Sequence, residues 1–599
     1  MMTKQSPIGD RLQALRQLMA QQNLDAFIIP HEDEYLGEYT PPEAERLAWL
    51  TGFNGSAGVA LVLADTAALF VDGRYTVQAR NQVDEALFSL HHLIDEPYLT
   101  WLTGQLDRKQ RVGLDPRLHS LASYQKAKAS LGQKEIELVT LEKNLIDALW
   151  QDKPVPGKAP ALLYPESLAG QSSTQKREAL ATELRKQGLD AALLTQADSI
   201  NWLLNLRGHD IPCLPVVLGF AVLYSNASLE LFTDTDKLDI GSFTSHAGFD
   251  ITVYPLEKMG DVLTRMGEDK LRVLADTNHS NAWTQLTLQK AGATLVDGAD
   301  PCQLPKARKN ASELAGMVEA HRKDAVAMCR FLAWLDDLVA RDGRADEGTL
   351  ADRLALFRQE QVDYLEPSFD SISALGPNAA MCHYKHTNGE PRALGQDGMY
   401  LIDSGGQYLQ GTTDITRTVK VGEVSDEMRQ QFTRVLQGHI AIDRVRFPKG
   451  TAGIQLDVLA RLPLWQAGFN YDHGTGHGVG HFLSVHEGPQ RIASKGSLTP
   501  LEPGMVLSNE PGYYREEAFG IRCENLVVVE PCPEAGEVTR YQFRRLTLVP
   551  FDVRLLAQEL LDDSQRQWIN DYHAQVWQEI GPLLDEETRT WLQQATAPL

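Results

Sequence analysis

The stretch "YLIDSGGQYLQGTTDITRT", residues 400–418, runs an apolar segment into Asp403, breaks at two glycines and reaches Asp414 eleven positions later. Its flanks, "GMYLIDSG" and "TTDITRTVKV", alternate enough to be strands. The glycine-containing link suits a hairpin, which would set the two aspartates side by side on neighbouring strands. Two ionised carboxylates that close repel each other. They are tolerated when one keeps a proton or when a metal ion sits between them.

Further acids and histidines follow. "YDHGTGHGVGHFLSVHEGP", residues 471–489, holds His473, His477, His481 and His486. The glycines at 474, 476, 478 and 480 make a helical HxxxH zinc motif improbable. In an extended strand, residues four apart share a face but lie roughly 13 Å from each other, too far to bind one ion. One of His473 and His477 is therefore expected as a ligand, the other as a substrate or supporting contact, and spacing does not choose between them. His481 receives no role. Glu510 closes the apolar run in "MVLSNEPGYY", and Glu524 sits in "GIRCENLVVVE", inside what reads as a buried strand, where a lone carboxylate is costly. Four carboxylates and one histidine carry a formal charge of about −4, which two divalent cations would cancel and one would not. The mainly oxygen donors suit manganese (Mn2+), Mg2+ or similar hard ions, with Zn2+ and Co2+ also admissible. Two such ions can hold a bridging hydroxide as nucleophile, which is hydrolytic chemistry.

Outward from this region, "KARKNASELAGMVEAHRKDAVAMCRFLAWLDDLVA", from about residue 306, is a long helical pattern that Asn310 or Ser312 could cap. Earlier still, "LQALRQLMAQQNLDAFIIP" (12–30) and "REALATELRKQGLDAALLT" (177–195) repeat one helix-then-strand order down to Leu-Asp-Ala. This predicts two copies of one α/β domain, divided near the Pro-rich "KPVPGKAPALLYPES" at 153–167. The tail is helical, and Trp568, Trp577 and Trp591 give it large apolar faces suited to packing on the third unit or on a second subunit. The acidic loop "HEDEYLGEY" (31–39) reads as solvated surface rather than a metal site.

At 599 residues the chain exceeds one core, and three or four units are expected. A hydrophobic content of 43% and a charged content of 23% are those of a globular protein. The net charge of −23 argues against nucleic acid as a partner. The six cysteines lack CxxC spacing, which excludes a zinc ribbon and predicts reduced thiols. The longest apolar run, Cys213 to Tyr224, is too short to span a membrane. "MMTKQSPIGDRLQALRQ" lacks the apolar core of a secretory signal, so a cytoplasmic location is expected.

Asp403, Asp414, His477, Glu510 and Glu524, in that order and context, resemble the five ligands of the metal-dependent pita-bread peptidases. "AERLAWLTGFNGSAGVA", "FVDGRYTVQA", "HGTGHGVG", "VHEGP" and "GIRCENL" extend the resemblance over nearly the whole chain, to the long, three-domain cytosolic form of the Xaa-Pro aminopeptidase family. That resemblance implies an α/β (α+β) architecture. Residues 1–155 and 156–305 would be creatinase-like domains, 306–550 the pita-bread catalytic domain and 551–599 a C-terminal helical extension. It implies that Asp403 binds one ion, that His477 and Glu510 bind the other, and that Asp414 and Glu524 bridge both. His383, His473 and His486 match positions that bind substrate and assist proton transfer, Arg522 matches an arginine near the bridging glutamate, and Glu510 is also a candidate base. Cys523, between Arg522 and Glu524, is expected to face the other way and pack. The implied reaction removes the N-terminal residue from peptides with proline second, in a homodimer. The alternatives are a prolidase acting on Xaa-Pro dipeptides and a non-catalytic pita-bread binding module.

Overall fold

The helix-then-strand pattern that occurs twice in the sequence folds the same way both times. In the computed structural model, which describes residues 7–395, 397–534 and 536–599, the first copy is helix Pro7–Gln21 and strand Ala26–Pro30. The second is helix Ser173–Lys186 and strand Ala191–Leu194. Residues 1–6, where the reading of the chain's opening begins, lie outside the described residues.

Each of these strands takes the same place in a six-stranded sheet of one topology. Each pairs antiparallel with the next long strand, Val59–Leu63 or Gly219–Tyr224, and parallel with a later one, Arg111–Leu114 or Arg272–Ala275. Alternate residues of the first strand enter different cores: Phe27 and Ile29 pack with Leu12 and Leu15, while Ala26 and Ile28 pack with Leu102 and Leu131. Burial on both faces is why these strands read as unbroken apolar runs. Tyr35 stacks on Phe220 with ring centroids 4.7 Å apart, and Asn281 Nδ2 donates to the Glu34 carbonyl at 2.8 Å. So joined, the two sheets share one compact unit, which runs to Glu166 and resumes from Gln171 to Cys302.

The acidic loop at 31–39 is not the solvated surface the sequence suggested. Asp33 is fully buried, and its Oδ1 accepts the N–H groups of Tyr35 and Gly37. Glu34 and Asp147 both pair with Arg46, and Glu38 pairs with Arg74. The loop is acidic because its carboxylates satisfy backbone donors and arginines.

The second compact unit comprises Ser167–Gly170 with Gln303–Leu599. Asn310, not Ser312, caps helix Ala311–Ala340, and Glu313 completes a capping box. Helices Glu347–Gln359 and Asp426–Arg444 follow the same apolar periodicity. Val506–Asn509, Asn525–Pro531 and Arg540–Arg545 form the middle of a six-stranded antiparallel sheet, and Ile372–Leu375, Met399–Ser404 and Ile415–Lys420 a three-stranded one. The link from 404 to 415 is more than the simple hairpin turn expected: Gly406–Tyr408 and Gly411–Thr412 pair with each other, and the first also pairs with Tyr364–Pro367.

The tail, Asp563–Ile580 and Glu586–Ala595, folds back onto this unit. Trp568 is buried, stacks on Tyr572 and donates to Asp443 at 2.7 Å, while Trp577 and Trp591 pack against the same core. The apolar faces expected to need a partner are thus covered within the unit. Among the described residues no disulfide joins any of the six cysteines, and Cys523 lies in the core as expected. Among the described residues no helix is long and apolar enough to cross a membrane.

Candidate metal centre

Strand ends in the second unit carry the four carboxylates. Asp403 lies in Met399–Ser404 opposite Thr416, and Asp414 immediately precedes Ile415–Lys420, whose Ile415 is in register with Ser404. Glu510 follows Val506–Asn509 and Glu524 precedes Asn525–Pro531; Asn509 and Asn525 are register partners, so both glutamates emerge at the same end of the sheet. Glu524 therefore does not sit inside a strand, as its apolar surroundings suggested. It occupies a two-residue break after Phe519–Arg522, where its N–H bonds to the Thr416 carbonyl at 3.2 Å. Arg417, fully buried, fixes that break by donating to the Glu524 carbonyl at 2.6 Å and to Asn525 at 2.8 Å.

His477 comes from the short strand Gly476–Gly478. Its Nδ1 lies 2.9 Å from the Gly478 carbonyl, an acceptor only, so Nδ1 carries the proton. Nε2 then turns a lone pair toward Asp414 Oδ2 at 3.4 Å and Glu510 Oε1 at 3.5 Å. Three electron-rich atoms facing one another require a positive charge between them. Burial alone would push this imidazole down, but Asp414 and Glu510 outweigh it and lift His477 to about 9. Asp414, His477 and Glu524 each present one donor atom, and these lie within 4.8 Å of one another. Burial and the charges of Asp414, Asp403 and Glu510 hold Glu524 well above the usual carboxylate range. Burial also raises Asp403 and Glu510. Asp403 Oδ1 is buried without a hydrogen-bond partner among the described residues. Oxygen-rich donors short of positive charge form a set that divalent cations fit.

Arg522 enters the same centre. It donates to Asp403 Oδ2 at 2.5 Å, to Thr416 Oγ1 at 3.1 Å and to the Tyr514 hydroxyl at 2.6 Å. Thr416 in turn donates its hydroxyl to Glu524 Oε2 at 2.7 Å. Tyr514 lies 2.9 Å from His473 Nε2, and His473 Nδ1 lies 2.7 Å from the Gly474 carbonyl. Nδ1 must therefore donate, Nε2 must accept, and the polarity runs from Arg522 through Tyr514 to His473. The charge count made from sequence lacked this guanidinium: four carboxylates with Arg522 sum to −3, and two divalent cations would leave +1, a sign suited to an anionic nucleophile.

Of the other histidines, His486 packs its ring edgewise on His477 with centroids 4.3 Å apart. His383 is half-buried in the segment after the turn Gly376–Ala380. The neighbouring Cys382 thiol is pushed up to about 11 by burial, although the Arg522 charge and a Tyr514 hydrogen bond act to lower it. Buried Glu347 anchors this segment by accepting from Leu375 N at 2.7 Å, Asn378 Nδ2 at 3.0 Å, Tyr384 OH at 2.7 Å and Arg392 N at 2.9 Å. Ser508, whose Oγ accepts the His477 N–H and donates to Glu510, holds two of the candidate ligands at once.

Tyr514, Thr416, Arg417, Ser508 and Glu347 were not singled out from sequence. Arg417 alone left a signal, a charge inside a strand that otherwise reads as buried. The others are polar residues in polar-tolerant contexts whose partners are set by folding.

Residues 315–531 match metallopeptidase family M24, and 539–599 match the C-terminal region of that family. Residues 11–149 and 152–313 each match the creatinase/prolidase N-terminal domain. A protein of Aspergillus flavus described as a probable Xaa-Pro aminopeptidase P is 37% identical over 99% of this chain and 93% of its own length. One of Laccaria bicolor with the same description is 38% identical over 98% of this chain and 93% of its own. The crystal structure of X-prolyl aminopeptidase from Caenorhabditis elegans, described as a cytosolic enzyme with a di-nuclear active site, superposes with a TM-score of 0.94 at 31% identity, covering 99% of this chain and 100% of that one. With the doubled creatinase-like sheets and the acid-and-histidine centre in one chain, this protein belongs to the Xaa-Pro aminopeptidase P branch of the M24 metallopeptidases.

Proposed function

We propose that this chain is a metal-dependent exopeptidase that hydrolyses the bond between an N-terminal residue and a proline in second position. The observation that carries the reading is the His477 Nε2 lone pair facing Asp414 and Glu510, with Glu524 close by, in a pocket short of positive charge. Asp403 would serve one cation, His477 and Glu510 a second, and Asp414 with Glu524 both. When bound, such a pair of divalent ions supplies an activated water at neutral pH and polarises the scissile carbonyl. Manganese suits the oxygen-rich set, with Zn2+ and Co2+ as competitors.

The protein's own groups meet the remaining demands of the substrate. A bond before proline has no N–H to grip, and its leaving group is a ring amine that must gain a proton. Nδ1 of His473 is held by the Gly474 carbonyl and Nε2 by Tyr514, so it would contact substrate through its ring or in place of Tyr514, while His486, and His383 from its anchored segment, are the candidates to move that proton. Glu510 is the candidate base. Arg522 orients Asp403, and its charge opposes the upward push of burial on that carboxyl.

On this reading residues 1–155 and 156–305 are two creatinase-like domains, 306–550 carry the chemistry and 551–599 brace it. Helix Asp457–Trp465 exposes Val458, Leu462 and Trp465 along one stripe, which supports a homodimer. The cytosolic C. elegans relative supports a cytoplasmic location. The decisive assay offers protein stripped by chelator and reloaded with Mn2+, Co2+ or Zn2+ a tripeptide and a dipeptide with proline second. Release of the first residue from the tripeptide, lost on stripping and regained on loading, is expected; cleavage of the dipeptide alone would make it a prolidase, and no cleavage with any ion a binding module.

A further inference from the structure

His486 is followed at once by a buried charge cluster that the proposed chemistry does not use. Glu487 opens strand Glu487–Ile492 and is in register with Gly478, the residue after His477. Its Oε2 accepts from Lys306 Nζ at 2.9 Å and its Oε1 from Lys309 Nζ at 2.5 Å. The side chains of Glu487, Lys306 and Lys309 are 0%, 2% and 1% exposed. Each carboxylate oxygen of Glu487 thus meets its own buried ammonium, an arrangement costly to bury and strong once paired. Its geometric effect is clear: with a cation on each oxygen, the carboxylate plane cannot turn.

The lysines are themselves fixed. Lys306 ends the short helix Gln303–Ala307, Arg308 bridges to Met505, and the Lys309 N–H bonds to the Gly504 carbonyl at 3.1 Å. His486 immediately precedes Glu487 and packs its ring edgewise on His477 with centroids 4.3 Å apart, so a side chain fixed at Glu487 fixes the backbone that carries His486, and the pairing of Glu487 with Gly478 anchors that point next to His477.

We propose that Lys306, Glu487 and Lys309 form a clamp of positioning residues that sets His486 against His477. The proposal rests on the reading of His486 given above. The test compares kcat and KM on an Xaa-Pro tripeptide, together with metal content, for manganese-loaded wild type, K309M, K309R, H486A and the double variant. K309M leaves Lys306 paired with the other oxygen of Glu487, and K306M repeats the test from that oxygen if K309M does not fold. A fall in kcat of about tenfold or more, with KM and metal content kept and activity restored in K309R, is expected. In the H486A background the same substitution should cost almost nothing further, because its target is gone. Wild-type kcat in K309M, a change in KM alone, or the full loss repeated on H486A would overturn the clamp and leave the function standing. Wild-type activity in H486A would overturn the role of His486 and the clamp with it.

Discussion

In the first unit buried Asp210 meets Lys237 at 2.7 Å and Arg46 lies between Glu34 and Asp147, whereas in the second Asp403, Asp414, Glu510 and Glu524 gather around one arginine and one imidazole. Both units bury acid groups, but the first keeps them apart and answers them locally, with a cation at Asp210, Glu34 and Asp147 and with backbone N–H groups at Asp33. The second does so only away from the centre, as at Asp324 with Arg358 and Asp457 with Arg461. Buried carboxylates are ordinary; buried carboxylates left short of positive charge mark a place kept for something the chain does not supply.

The sharpest way to break this contrast is to delete an acid on each side of it. D414A or E524A should reduce turnover to background and lower metal stoichiometry, measured by elemental analysis, while hydrogen exchange in the two six-stranded sheets of the first unit stays unchanged. D210N should leave turnover chemistry intact but destabilise the first unit by about 3–5 kcal/mol, because Lys237 then stays buried without its carboxylate. Hydrogen exchange across Gly219–Tyr224 would register it, and unchanged protection there would remove the contrast.

Single groups in the two units should carry pH slopes of opposite sign. Burial lowers His119 to about 4, so the stability it contributes should be lost as pH falls from about 6.5 to 4, read as the difference between wild type and H119N because Asp33, raised by burial to about 7, opposes it in the same window. His477 is raised to about 9, so in stripped protein its contribution is complete below about 6.5 and is lost as pH rises to about 9. Each slope is of the order of 1.4 kcal/mol per pH unit, and loading with metal should abolish only the second. Y514F should lower kcat about tenfold without metal loss, since it cuts the link between Arg522 and His473. The smallest effect is expected from E524Q in stripped protein, a slight rise in the melting midpoint, as a neutral side chain escapes the burial and neighbouring carboxylates that push Glu524 upward.

Much of this was legible beforehand because it is local. The doubled helix-and-strand order, the Asn310 cap, the ligand-bearing segments and the non-helical glycine-rich histidine stretch all follow from residue spacing within a few turns or pleats. The errors came where burial decided: the acidic loop at 31–39 looked wet and Glu524 looked strand-bound, whereas the tail tryptophans pack on the third unit, one of the two places expected for them.

The sequence by itself determined the element order, the repeat and the identity of the acids and histidines near the centre, since periodicity and composition act at short range. Only the tertiary structure decided that Arg522 reaches Asp403 across 119 residues, that Tyr514 turns its proton toward His473, and that Lys306 grips Glu487 across 181. Hydrogen-bond polarity and the balance of buried charge belong to side chains brought together by packing, and no spacing along the chain encodes them.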